Sequence, residues 1–337
     1  VARPALLDAF RQHLAAANPL VDHPTTRVLR MAALEEEDAI AWGERAADAL
    51  ETQSEGAGQR AAAWERHLRA YLEAARGIAG DGEPYSEPLP APRGAAPYVP
   101  DFRPRRDARF AGLHQFDFPP HQVYAASDVS AEERNLALLC KRALEMDVPE
   151  MMASFLWERR GRPWEFYHDY ARQLWDEARH AMMGTVGLAA RGIDWTRLPL
   201  NVGFSLRLNL HASALERQVV LWAIEQSLMA GETGKRYEHE TAVAAADPLS
   251  AHFHDYDWAD EVLHAQIGRR WLGAEGVSHD QAMELARQVH DRTWDALDRY
   301  REPGDGWAWW RAYVRESLGR ESAARPEELG DLKILAE

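Results

Sequence analysis

Cysteine is nearly absent from this chain, and long uncharged hydrophobic runs are missing. The single cysteine, Cys140, excludes an internal disulfide and is typical of a protein kept in a reducing cytoplasm. The sequence has no apolar run of about 20 residues and no charged-then-apolar leader, so it predicts neither membrane spanning nor export. We therefore expect a cytoplasmic protein.

Basic residues are also in the minority. The formal net charge of −15 disfavours nucleic acid and anionic membrane surfaces as partners, because both need a basic face. Hydrophobic residues make up 46% of the sequence, which argues for a folded protein rather than a disordered one. A chain of 337 residues can bury a sizeable core, in one large domain or in two.

Hydrophobic periodicity and punctuation divide the chain into four regions. Residues 1–79 have helical spacing and no ligand-like cluster, whereas residues 80–127 are rich in proline and aromatic residues and predict an extended connecting segment packed over the rest. Residues 128–275 contain the helices that carry candidate chemistry, and residues 276–337 predict a C-terminal helical extension with a polar tail. The predicted fold class is all-α, a bundle with helical additions at both ends.

The five-residue pattern Asp-Glu-x-x-His occurs twice, at residues 176–180 and 260–264, each time within helical spacing. Residues three apart on a helix lie nearly one above the other, so each Glu and His can offer an oxygen and a nitrogen to one metal ion. Two such helices, each paired with a helix that carries a single Glu, make the two-metal site of a ferritin-like four-helix bundle. This pattern predicts the fold of residues 128–275.

A bare Glu-x-x-His is a weak signal, because roughly one or two copies arise by chance in a chain this rich in Glu and His. A third copy, Glu165 and His168, lies about three turns before Glu177, roughly 18 Å away on the same predicted helix. No second copy answers it, so we interpret it as a solvated helix start. The other two copies share a preceding Asp and have apolar neighbours.

Hairpin geometry selects the partner of Glu177. A predicted helix over about residues 130–160, bent by Pro149, turns back into the helix of Glu177. Glu145 lies nearly as far before that turn as Glu177 lies after it, so it is the predicted ligand. Glu150 is the reserve, with a supporting role expected nearby.

Two residues compete to be the sixth ligand on the third bundle helix, which is predicted from about residue 213 to beyond residue 237. Glu225 lies on an apolar face, where an unpaired carboxylate is costly and a metal is a good partner. Glu232 gives the more symmetric hairpin, but Lys235 and Arg236 beside it offer a salt bridge instead. The sequence favours Glu225 slightly and leaves both open.

The doubled motif, with Arg179 making the first copy Asp-Glu-x-Arg-His, resembles the ferritin-like diiron-carboxylate superfamily. That superfamily includes bacterial multicomponent monooxygenases, the small ribonucleotide reductase subunit and acyl desaturases. In it the Asp before the ligand Glu commonly hydrogen-bonds the metal-bound His of the opposite helix. The resemblance therefore implies that Asp260 orients His180 and that Asp176 orients His264.

Over about residues 145–272 the chain is also similar to a poorly characterised group of bacterial ferritin-like proteins. The likeness rests on the sequences at residues 166–170, 176–180 and 260–271. The chain departs from the group on the third helix, where the expected carboxylate falls near Met229, one turn from either Glu225 or Glu232. The resemblance implies a fold and a metal rather than a substrate.

These patterns together predict a complete site. The predicted metal ligands are Glu145, Glu177, His180, Glu225, Glu261 and His264, with Glu232 as the alternate sixth ligand. The side chains expected to support them are Asp176, Arg179, Asp260, Asp257 and Glu150. Tryptophans within one turn of a predicted ligand, expected to shape a dry pocket, are Trp175, Trp222 and Trp258.

The predicted activity is that of an O2-activating diiron oxidase or oxygenase acting on a small organic molecule. Carboxylates with two imidazoles suit two iron ions, with manganese as the alternative metal, and leave positions open for O2 as co-substrate. An external electron donor is an expected partner, and a homo-oligomer stays open. The alternative functions are a non-redox helical binding or scaffold protein and a ferroxidase or iron-handling protein.

Overall fold

The computed structural model describes residues 1–52, 55–92, 94, 96–230 and 233–325. Those residues form helices and no strand, which confirms the predicted all-α class. The chain divides into two compact units, Val1–Val99 and Pro100–Glu337. The division falls inside the predicted connecting segment, residues 80–127, whose limits stay a prediction. No helix in the described ranges is both long and apolar enough to cross a membrane.

The first unit has a small interior. Its described helices are α1 (Ala2–Ala16), α2 (His23–Glu51) and α3 (Ala57–Ala74). Pro24 stands in the first turn of α2, where its missing N–H is not needed. α1 packs against α2, and Arg3 donates hydrogen bonds to Glu36 across the pair at 3.0 Å. The buried side chains among the described residues of this unit are Leu7, Thr26 and Ala33.

The second unit contains the predicted site. Its described helices are α4 (Pro120–Val123), α5 (Ala131–Leu144), α6 (Asp147–Glu158), α7 (Trp164–Ala190), α8 (Gly203–His211), α9 (Ala214–Ala230), α10 (Lys235–Ala244), α11 (Pro248–Ala274), α12 (His279–Asp295) and α13 (Gly306–Leu318). Short 3-10 turns lie at Trp195–Arg197 and Asp298–Tyr300. Phe116 and Phe118, from the proline-rich stretch, are buried in this unit.

The prediction of one bent helix over residues 130–160 is wrong, because the structure has two helices, α5 and α6, that separate at Glu145. Pro149 has no N–H to donate to the carbonyl of Glu145 four residues back, and Val148 donates to that carbonyl instead at 3.0 Å. The turn tightens and the helix restarts, with Pro149 in the first turn of α6. Glu145 therefore projects from a break between helices rather than from a helix interior.

Helices α5, α6, α7, α9 and α11 surround one interior. α7 packs against α5 and α6 on one side and against α11 on another, while α9 packs against α6 and α11. α7 runs antiparallel to α5 and α6, because Tyr170 contacts Phe155 whereas Gly184 approaches Ala143. A Cβ on Gly184 would lie 2.3 Å from the backbone nitrogen of Ala143, so this close approach requires glycine.

Apolar side chains fill this interior on both sides of a layer of buried polar side chains. We call this layer the polar layer; its members include Glu177, His180, Glu225, Asp257, Glu261 and His264. One buried cluster includes Leu188 and Trp310, and another includes Phe155 and Phe166. Along α7, Phe166 belongs to the second cluster and Leu188 to the first, and residues 176–180 lie between them. The polar layer is therefore enclosed by apolar packing, which excludes water and strengthens charge interactions within it.

The third predicted bundle helix is divided in two. α9 ends at Ala230 and α10 begins at Lys235; Glu232, the alternate ligand, lies outside the described residues. α10 packs against α5 and α11. As a result, Lys235 at the start of α10 enters the polar layer.

Candidate metal centre

The two copies of Asp-Glu-x-x-His meet across an antiparallel pair of helices, α7 and α11. Nε2 of His180 lies 3.2 Å from Oδ2 of Asp260, and Nε2 of His264 lies 3.5 Å from Oδ2 of Asp176. In each copy the Asp and His are four residues apart, so they share a helix face and the two helices pair reciprocally. Both imidazoles thus turn Nε2 toward a carboxylate and Nδ1 toward the interior.

Nδ1 of His264 faces three glutamates, and we call this group the first position. The nitrogen lies 3.1 Å from Glu177, 3.5 Å from Glu261 and 3.8 Å from Glu225. All four side chains are buried. One ligand atom from each lies within 4.8 Å of the others, which places three carboxylates and one imidazole around a common point.

Nδ1 of His180 faces a second group, the second position. This nitrogen lies 3.3 Å from Asp257, 3.6 Å from Glu177 and 3.8 Å from Glu145. Glu177 belongs to both positions, because Oε1 faces His264 and Oε2 faces His180. The carboxylate of Glu177 therefore has the placement of a bridge between two ions.

Several of the inward-facing atoms have no hydrogen-bond partner among the described residues. They are Nδ1 of His180, Nδ1 of His264, Oε1 of Glu177 and Oε2 of Glu261. Although Nδ1 of His264 is 3.1 Å from Oε1 of Glu177, this pair lacks the geometry of a hydrogen bond. Buried polar atoms are nearly always satisfied, so a cluster of unsatisfied ones needs an explanation.

Two fully buried cations lie against the second position. The Lys235 ammonium donates to Asp257 at 2.9 and 3.0 Å and to Oε1 of Glu261 at 2.8 Å. The Arg142 guanidinium donates to Glu145 at 2.7 and 2.8 Å and to Asp257 at 2.6 Å. These cations offset part of the negative charge that the polar layer concentrates.

Burial and neighbouring charges shift the pKa values of two members of the polar layer, His180 and Glu145. Burial alone would lower the pKa of His180, but Asp257, Asp260 and Glu177 raise it to about 10. Burial raises the pKa of Glu145 to about 7, although Arg142 opposes this shift. These carboxylates favour the protonated imidazole of His180 when no metal is bound, and a metal that binds it must displace that proton, so metal affinity should rise with pH.

Arginines hold the two supporting aspartates. Arg179 donates to Asp176 at 2.7 Å and to Asp260 at 2.6 Å, so one guanidinium joins α7 to α11. Arg172 donates to Asp176 at 2.8 and 3.0 Å. Each supporting carboxylate is held in place, because it accepts charge-assisted hydrogen bonds. The structure thereby brings the predicted Arg179 to both supporting aspartates.

Four other predicted residues have surroundings that differ from one another. Glu150, the reserve partner of Glu177, accepts hydrogen bonds from Arg106 at 2.8 and 2.9 Å. Trp175 is 56% exposed, so it does not line a buried pocket. Trp222 is buried against Gly268 and edge-on to His279, and Trp258 is half-buried.

The sequence predictions missed the cations and underrated Asp257. Lys235 was expected to pair with Glu232, but it donates to Asp257 and Glu261, while Arg236 donates to Glu240. Lys235 reaches the interior because the third helix restarts there, which local spacing does not show. Arg142 lies three residues before Glu145 on the same predicted helix, and that spacing was a usable signal.

A third acidic group lies beside the second position. Glu238, His254 and Asp257 are buried, with candidate ligand atoms within 4.8 Å of one another. Glu238 accepts hydrogen bonds from Lys141 and Arg142, so its charge is already paired. This group is therefore a weaker metal candidate than the first position.

Comparisons of the chain with protein-family models, with curated proteins and with solved structures gave no match. The geometry of the site and the sequence resemblance are therefore the grounds on which a function can be proposed for this chain.

Proposed function

We propose that the polar layer of the second unit is a two-metal carboxylate centre in a ferritin-like four-helix bundle. α5 and α6 form a hairpin with α7, and a long connection containing α8 leads to a second hairpin of α9 and α11. α11 runs antiparallel to α9, since Glu225 faces His264 and Trp222 faces Gly268. Because α11 is also antiparallel to α7, α7 and α9 run the same way, as one long crossover requires.

The observation that carries this proposal is the set of unpartnered inward-facing atoms. Nδ1 of His180, Nδ1 of His264, Oε1 of Glu177 and Oε2 of Glu261 are buried and unsatisfied in the part of the chain that the structure describes. Two atoms bound to one ion at about 2.1 Å are at most about 4.2 Å apart. The separations of up to 4.8 Å within the first position are only slightly larger, so small side-chain movements suffice.

The donor set fits iron, with manganese as the alternative. Both metals accept hard carboxylate oxygens together with imidazole nitrogens, whereas zinc and copper sites favour more nitrogen or sulfur. When two iron ions are bound, they supply electrons for the reduction of O2, and an external donor restores those electrons. We propose on this basis an oxidase or oxygenase acting on a small organic substrate.

Residues of the chain orient the ligand side chains and keep water away from the centre. Asp260 is hydrogen-bonded to Nε2 of His180, and Asp176 lies 3.5 Å from Nε2 of His264, so each imidazole directs Nδ1 toward the interior. Gln173 donates to Oε1 of Glu225 at 3.0 Å and orients that carboxylate. The apolar clusters on both sides of the layer exclude water, so the charges within act at low dielectric.

A non-redox scaffold is the opposing function, and one observation favours it. Lys235 and Arg142 already pair with Asp257, Glu145 and Glu261, so part of the acidic layer is satisfied without a metal. The unpartnered imidazole nitrogens argue the other way, because neither cation reaches them. Ferroxidase activity is a third reading of the same centre.

Metal analysis of purified protein tests the proposal. After iron-supplemented expression we expect about two equivalents of iron or manganese, a carboxylate-iron absorption spectrum, and O2 uptake when a reductant is added. Less than about half an equivalent of either metal would favour the scaffold. Metal binding with O2 uptake that deposits ferric iron, without oxidation of an organic compound, would favour the ferroxidase.

A further inference from the structure

The two positions of the centre are not equivalent, because Lys235 contacts Asp257, which only the second position uses, and contacts Glu261 through the oxygen that does not face His264. Lys235 is fully buried at the start of α10, and its ammonium lies within hydrogen-bonding distance of Asp257 and of Oε1 of Glu261. Nδ1 of His180 lies 3.3 Å from the same carboxylate of Asp257. A cation of the protein itself thus stands beside the second position.

Two carboxylates can reach both positions: Glu177, and Glu261, which also has a candidate ligand atom within 4.8 Å of those of His180 and Asp257. A cation engages only one of them, Glu261. Oε1 of Glu177 is unpartnered within the described chain and faces the first position, and Oε2 faces His180. Glu261 also turns its unsatisfied Oε2 toward His264, but its other oxygen, Oε1, accepts from Lys235. Oε1 is the oxygen with which Glu261 could bind an ion at the second position, and Lys235 already occupies it.

Charge differs between the positions in the same direction. Arg142 binds both Glu145 and Asp257, the two carboxylates that only the second position uses. At the first position, Glu225 accepts instead from the uncharged amide of Gln173. A divalent ion therefore meets two ion-paired carboxylates, Glu145 and Asp257, at the second position, whereas at the first position only Glu261 is ion-paired, through its other oxygen.

We propose that Lys235 competes with the second metal ion, so that the two positions fill in order and with unequal affinity. This inference rests on the proposed two-metal function. The first ion binds at Glu177, Glu225, Glu261 and His264 without displacing a cation. The second ion binds only when the Lys235 ammonium leaves Asp257 and Glu261.

A calorimetric titration of the metal-free full-length protein with Mn2+ tests this order. For the natural sequence we expect one tight and one weaker binding event. Lys235→Met should tighten the second event roughly 10- to 100-fold, the effect of removing a charge-assisted hydrogen bond from the competing state. Lys235→Gln, which keeps a donor but no charge and leaves the fold less disturbed, should act in the same direction.

Lys141→Met is the matched control. The substitution removes one positive charge, as Lys235→Met does. Lys141 donates to Glu238 but contacts none of the residues assigned to either position. An equal gain in Lys141→Met would show a general charge effect and overturn the competition. Two equal binding events in the natural sequence, or an unchanged second event in both Lys235 variants, would also overturn it while leaving the two-metal centre intact. Absence of Mn2+ binding in the natural sequence and in every variant would overturn both.

Discussion

The start and the middle of α7 carry the same Glu-x-x-His spacing in opposite surroundings. At its start, His168 is 75% exposed and its closest acidic neighbour is Asp169, at 3.8 Å. Near its middle, His180 is fully buried among four carboxylates. α11 faces both copies, but beside the copy at the start of α7 it presents Arg270 and Trp271, which donate to Asp169. The spacing alone aligns two ligands on one helix. Whether further ligands surround them depends on the side chains that the opposite helix presents.

The largest effect should come from removing a buried imidazole. His180→Ala and His264→Ala each delete the nitrogen ligand of one position, so each variant should lose about one metal ion per chain or disorder that ion. Metal analysis after equilibrium dialysis measures this loss. A His264→Ala variant that kept two ions would contradict the assignment of the first position.

Glu225 provides the next test. Its carboxylate lies 3.8 Å from Nδ1 of His264, so Glu225→Ala should abolish the two-metal stoichiometry. Glu232→Ala, which alters the alternate ligand outside the described residues, should retain it. Parallel metal titrations of the two variants compare them directly, and the reverse result would exchange the two glutamates in the assignment.

A buried histidine beside the centre should make the protein sensitive to acid. Burial, opposed by Glu238, lowers the pKa of His254 from 6.5 to about 4. The unfolded chain therefore takes up a proton below pH 6.5 that the folded chain refuses. The free energy of unfolding should be unaffected by this group above pH 6.5 and should fall by as much as about 3 kcal/mol between pH 6.5 and 4.

Denaturant unfolding at several pH values, with metal-free protein, checks this expectation. The comparison is the slope of stability against pH, because His254→Gln also changes packing. The variant should lack the part of the slope that His254 causes. An identical slope in both proteins would show that His254 is not the acid-sensitive group.

The supporting aspartates should have an intermediate effect. Asp260→Asn and Asp176→Asn leave the ligands in place but weaken the hold on Nε2, which typically costs roughly 10- to 100-fold in metal affinity. Asp260 lies closer to its imidazole, at 3.2 Å against 3.5 Å, so its variant should be the weaker binder. Asp169→Asn removes the same charge near the start of α7 and should leave the affinity unchanged.

The smallest effect is expected at the exposed copy of the motif. His168→Ala should leave metal content and stability within experimental error, since solvated side chains contribute little. Metal analysis beside the His180 variant makes the comparison along one helix. Loss of metal from His168→Ala would overturn the assignment of the buried copies and the bundle topology built on it.

Much of the candidate site follows from periodicity. In each copy of the doubled motif the Asp and the His are four residues apart. When two such helices run antiparallel, the Asp of each helix can face the His of the other. The partner Glu145 followed from counting residues on each side of a turn. The break at this residue did not follow, because a proline is compatible with either a bend or a restart, and packing of both neighbouring helices decided between them.

The sequence by itself determined the all-α class and the residues able to bind metal, because helical spacing and ligand chemistry are local properties. Only the tertiary structure decided that α10 restarts at Lys235 and brings an ammonium to Asp257 and Glu261. It also decided that Asp257 stands beside His180 and that Trp175 faces solvent. These outcomes depend on which helices meet and at what height, and contacts between distant segments leave no periodic trace in the chain.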